Sequence, residues 1–72
     1  MRIADKHTVG LLRDKFPEGK RVRLVEMDDP QAPPKGTEGS VMFVDDTGTV
    51  HVKWDTGSTL GAVYGADVIT EV

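Results

Sequence analysis

A chain of 72 residues, 38% hydrophobic and 29% charged, has room for one core near the lower size limit for independent folding. It contains no cysteine, which excludes a disulfide-stapled scaffold and a thiolate metal site, and no segment nears the roughly 20 apolar residues of a membrane span. The formal net charge of -3 is unevenly spread: residues 1–25 carry seven basic side chains against three acidic ones, residues 26–72 two against nine. Attraction between the two halves within one fold accounts for this as simply as a partner site does. The start, Met1 to His7, lacks the apolar run of a signal peptide, so the expected setting is the cytoplasm, with no membrane.

In chain order, the first element is a helix. Val9, Leu12 and Phe16 share one face at i, i+3 and i+7, with Lys6, Arg13, Asp14 and Lys15 pointing elsewhere. Asp5 is placed to cap its first turn, and Pro17 and Gly19 end it. From Lys20 the period becomes two: Val22 and Leu24 alternate with Arg21 and Arg23, as in a half-buried strand. Asp28 to Gly36 follows as a loop held rigid by Pro30, Pro33 and Pro34. Three further strands are expected over Glu38–Val44, Thr49–Trp54 and Thr59–Tyr64, then a short fifth over Val68–Val72.

The strands are joined by two similar turns, Asp45-Asp46-Thr47-Gly48 and Asp55-Thr56-Gly57-Ser58. Asp bonds back to nearby amides and Gly supplies the positive φ of a short hairpin loop, which predicts an antiparallel meander. Five short strands are too few for two full sheets, and curling into a barrel removes most exposed edges. The expected fold is mainly β: a small five-stranded SH3-like barrel over 19–72, with a short N-terminal α-helix over 1–18 packed on it.

Gly19-Lys20-Arg21-Val22-Arg23-Leu24, Met27-Asp28-Asp29-Pro30, Gly36-Thr37-Glu38-Gly39-Ser40-Val41 and His51-Val52-Lys53-Trp54-Asp55-Thr56-Gly57-Ser58 follow one another in a specific order and spacing. In these motifs the chain resembles a family of short bacterial and phage-associated proteins catalogued as domain of unknown function 4314. The likeness runs from about Phe16 to the last residue, with a weaker helical match before it. It implies the fold and supplies no catalytic residue, because the family has no assigned activity. Gly36-x-x-Gly39-x-Val41 also resembles the glycine-led strand of KOW and other SH3-like modules.

Several motifs point to chemistry and then fail on their context. Asp55-Thr56-Gly57-Ser58 resembles the catalytic loop of aspartic proteases, but Lys53 breaks the required apolar pair before the Asp. No separate apolar segment is available to brace that loop, and the same string recurs at Asp46-Thr47-Gly48. His7 and His51 are the only histidines, without the further ligands of a zinc site. A triad of His51, Asp55 and Ser40 or Ser58 has no nucleophile elbow, so His51 reads as a solvated strand residue. Asp28-Asp29 and Asp45-Asp46 lack the alternating acids of a calcium loop and read as solvated turns. No enzyme, cofactor or metal is expected.

Binding is the better-supported class. Asp28, Asp29, Pro30 and Pro33, with Trp54 and Tyr64, form a candidate partner surface of the kind SH3 domains offer to peptides. Trp54 also continues the inward Val50/Val52 face, so core and surface are both open to it. An unidentified protein or peptide is the expected partner. The alternatives are a nucleic-acid accessory domain, with Lys20, Arg21 and Arg23 as phosphate contacts, and a homo-oligomeric scaffold or homodimer pairing through an edge strand or the helix.

Overall fold

The computed structural model describes residues 4–72. Its elements are one helix, α1 (Lys6–Lys15), and five strands: β1 (Arg21–Glu26), β2 (Glu38–Val44), β3 (Thr49–Trp54), β4 (Ala62–Val63) and β5 (Val68–Glu71). All neighbouring strands are antiparallel and form one sheet in the order β4-β3-β2-β1-β5. The mainly-β fold with its helical lead-in is as the sequence predicts. The ends of the sheet, β4 and β5, meet across the turn at residues 64–67 but share no ladder.

The helix forms where its caps allow. The Asp5 carboxylate accepts the Thr8 amide at 2.7 Å, satisfying an orphan donor of the first turn. At the other end the Phe16 amide donates to the Leu12 carbonyl at 2.8 Å, and Pro17 can extend the pattern no further. Ten residues are marginal as an isolated helix, so docking supplies what propensity cannot. Val9 and Phe16 are buried against the sheet and Leu12 packs beside them. Arg13 fastens the outer side: its guanidinium donates to the Val44 carbonyl at 3.1 and 3.2 Å and to Asp46 at 2.9 Å.

The inward face of the sheet alternates as the period of two demands. Val22 and Leu24 of β1, Val41 and Val44 of β2, and Val50 and Val52 of β3 are all buried. A bulge at Met42 makes room for one extra residue between the pairs Val41↔Val52 and Phe43↔His51. It returns Val44 to the inward face opposite Val50 and turns Phe43 outward, the re-aiming that bulges produce.

Trp54 is the largest of the fully buried side chains, 1% exposed, and its indole N–H donates to the Leu60 carbonyl at 2.8 Å. That bond explains why β4 is shorter than the predicted Thr59–Tyr64. Leu60 turns its carbonyl to the indole and takes the Ser58 hydroxyl at its amide, so regular pairing starts only at Ala62. A buried indole N–H left without an acceptor costs about 1–3 kcal/mol, which this departure from strand geometry avoids.

Across the sheet from Trp54 lies Gly39. A Cβ there would stand 2.7 Å from the Lys53 carbonyl oxygen and 3.0 Å from the Trp54 Cα, backbone atoms that cannot swing aside. Gly39→Ala is therefore expected to destabilise the domain by about 1–3 kcal/mol through overpacking, read as a lower midpoint in urea with an unchanged slope. An unchanged midpoint would show that β2 and β3 can separate freely at this point.

Candidate functional site

The two Asp/Gly turns look alike in sequence and are built differently. In the first, Asp45 is the organising residue. Its Oδ1 accepts the amides of Thr47 and Thr49 at 2.9 and 3.0 Å and the Thr47 hydroxyl at 2.6 Å. Gly48 turns the chain at φ +87°, a region open to glycine at little cost. The other carboxylate oxygen, Oδ2, lies 2.8 Å from His51 Nε2, and the His51 ring stacks on Phe43 with centroids 4.4 Å apart. Asp45 is thus more than a solvated turn acid, and the carboxylate facing His51 is Asp45 rather than Asp55. Ser40 and Ser58 are engaged elsewhere, with Arg21 and the Leu60 amide.

In the second turn Gly57 has φ +97°, but Asp55 does not bond back to the turn. It forms a bidentate pair with Arg21, Nη1 to Oδ1 at 3.0 Å and Nη2 to Oδ2 at 2.6 Å. The guanidinium holds the Asp55 carboxyl below the usual carboxylate range. Glu38 lies 3.6 Å from Arg21 and 3.2 Å from Arg23, and Lys20 stands 3.5 Å from Glu71. The three predicted phosphate contacts, Lys20, Arg21 and Arg23, each sit against an acid of the chain's second half. The charge asymmetry of the sequence is, to this extent, internal complementarity, and single exposed pairs of this kind are worth little individually.

The candidate partner surface is only partly assembled. Asp28, Asp29 and Pro30 are exposed, with the Asp29 carboxylate accepting the Gln31 amide at 2.8 Å. Two members are corrected by the structure. Pro33 is buried, because Ala32 beside it folds back on the core. Trp54 is core, since its ring continues the Val50/Val52 face and its one donor is already used.

Tyr64 is 45% exposed and stands in a different place, on a groove of about 330 Å³ between α1 and the β4–β5 turn. Leu12 and Phe16 form the helix side, Tyr64, Val68 and Ile69 the other, and Lys15 the rim. The 28–34 loop supplies no wall to it. This groove was legible only in part: Leu12, Phe16 and Tyr64 stand out as apolar, but which of them faces which depends on where β4 stops.

A family described as "Domain of unknown function (DUF4314)" matches residues 5–72. The chain belongs to this family. The match takes in the helix as well as the sheet, so α1, where the motifs give only a weaker likeness before Phe16, is part of the family's domain. No curated protein matches the sequence. Among the described residues no helix is long and apolar enough to cross a membrane.

Two outcomes are expected. Trp54→Ala should cost about 3–5 kcal/mol, as for other large-to-small core changes, which denaturant unfolding will show; a well-folded variant of unchanged stability would return Trp54 to the surface. The second concerns acid. Burial pushes the Asp45 carboxyl up, but the Thr47 hydroxyl, His51 and the Thr49 and Thr47 amides outweigh it and hold the carboxyl well below its ordinary 3.8. A carboxylate with a lowered folded-state value stabilises the fold fully above its unfolded value, and that share is lost as pH falls toward the folded one. Melting temperature should accordingly drop as pH falls below about 4, and Asp45→Asn should lower it at neutral pH and flatten that acid dependence.

Proposed function

We propose that the domain is a non-enzymatic interaction module that receives an extended apolar segment of another protein in the groove between α1 and the β4–β5 turn. The observation that carries this reading is that groove, apolar on both walls and open to solvent at Tyr64 and Val68, which are 45% and 49% exposed. A core this small gains by burying every large apolar side chain it can. Tyr64 and Val68 are left exposed together on this one groove. Tyrosine and aliphatic residues around a concave site are the usual anchors of peptide recognition.

The reading relocates the surface expected from the sequence. Tyr64 is kept, and the acidic loop with its buried Pro33 gives way to the helix–turn groove. The absence of cysteine suits a role inside the cell.

The test is selection of a displayed random-peptide library on the purified domain. The expected result is enrichment of sequences with alternating apolar residues. Tyr64→Ser or Val68→Asp should weaken their binding at least about tenfold, the size of one lost anchor, with an unchanged circular dichroism spectrum. Asp28→Asn and Asp29→Asn should leave it intact. Peptides that respond to the loop substitutions and ignore Tyr64 would move the site back to the loop.

A further inference from the structure

The two free edges of the sheet differ, and the difference names a partner. Backbone groups of an edge strand point alternately toward the neighbouring strand and toward open space. On β4, the Tyr64 amide donates to the Gly48 carbonyl at 3.2 Å, so Val63 points its groups away from β3. Those groups are already used: the Val63 amide donates to Asp67 Oδ2 at 2.8 Å, and its carbonyl accepts the amides of Ala66 and Asp67 at 3.1 and 2.9 Å. The β4 edge is closed by its own turn.

The β5 edge is open. Leu24, which faces Ile69, spends both backbone groups on the other side of β1, donating to Thr37 and accepting from Gly36 at 2.8 Å each. The Val72 amide reaches Arg21 at 3.3 Å. Thr70 and Val72 therefore face β1, and Ile69 and Glu71 direct their N–H and C=O groups outward. Among the described residues nothing pairs with them. Edges are ordinarily blunted by short strands, charges, bulges, proline or a covering loop, and β5, four residues long with Glu71 in it and a bulge at Val25 in its pairing with β1, carries the milder of these. It has no lysine or proline, and its first residue, Val68, and Val72 just after it are 49% and 58% exposed.

We propose that this edge pairs with the β5 edge of a second copy of the chain, forming a two-fold antiparallel dimer centred on Thr70. The sequence of the strand selects the occupant and the register. A closed two-fold pairing must match outward-facing residues with outward-facing residues, which leaves three registers. Centring on Glu71 sets glutamate against glutamate, and centring on Ile69 sets Glu71 against Asp67; like charges directly opposite are destabilising. Centring on Thr70 sets Ile69 against Glu71 of the second copy through four backbone hydrogen bonds. It also places Thr70 against Thr70 and Val68 against Val72, β-branched pairs that sheets favour. The inference deepens the proposed function, since Val68 and Ile69 also line the groove and the second copy is then one segment that the same face receives.

The experiment uses the absence of cysteine. Across a non-hydrogen-bonded antiparallel pair the Cα atoms lie about 4.5 Å apart, within reach of a disulfide. Thr70→Cys under mild oxidant is expected to give mostly a covalent dimer of twice 7.8 kDa, while Thr56→Cys, on the exposed second turn, stays largely monomeric. In sedimentation equilibrium the unmodified protein should gain mass with concentration. Glu71→Pro, which removes an outward-facing N–H together with the Lys20 ion pair, should abolish that gain, and Glu71→Gln, which removes the ion pair alone, should keep it. Circular dichroism checks that each variant folds. A mass fixed at 7.8 kDa up to millimolar concentration, crosslinking of Thr70→Cys no faster than of Thr56→Cys, or an undiminished dimer in folded Glu71→Pro would each overturn the proposal. Peptide selection reads foreign segments and crosslinking reads self-pairing, so each reading can fail alone.

Discussion

The structure depends on how it buries one tryptophan. A core of this size must gain much of its stability from few side chains, and Trp54 brings the largest apolar surface together with a donor that cannot be left unpaired. Three features follow from satisfying it. Gly39 must lack a side chain where β2 crosses the Trp54 backbone. The 58–61 segment must leave strand geometry so that Leu60 can present its carbonyl. And β4 is cut to two residues, which leaves the far end of the sheet without a partner strand for β5.

From that last consequence the exposed features arise. With β4 short and sealed by Asp67, the sheet ends do not join, and α1 covers the opening only as far as Leu12 and Phe16 reach. Tyr64, Val68 and Ile69 then lie between core and solvent. The groove is thus a by-product of the core's own geometry, and the open β5 edge belongs to the same defect. A fold that spends its strand length on one buried indole has an interaction surface left over.

Legibility in the sequence followed the range of the interactions involved. The helix, its Asp5 cap, β2 and β3 were readable because period, cap and turn are local signals. Asp45-Asp46-Thr47-Gly48 was readable as a turn, although Asp45 and not Asp46 does the bonding. Asp55 was misread because its partner, Arg21, is 34 residues away and nothing local marks the pair. His51 finds its carboxylate six residues back, at the turn of its own hairpin, and Pro33 is buried by a fold-back that proline spacing does not reveal. Trp54 carried both readings, and the inward period of β3 was the better guide.

The charge pattern shows how a compositional signal can be real and still mislead. A basic first segment beside an acidic remainder suggested phosphate contacts at Lys20, Arg21 and Arg23. Antiparallel pairing of β1 with β2 and β5 sets those residues beside Glu38, Asp55 and Glu71: Arg21 and Arg23 meet Glu38 and Asp55 on the outer face, and Lys20 meets Glu71 at the strand ends. Each such pair is weak alone. Together they favour one register over a slip, since shifting β1 by one residue would send its cations inward and Val22 and Leu24 out. The asymmetry of the sequence serves strand registration, and the groove left for a partner is lined by apolar side chains with Lys15 and Asp67 as its charged residues.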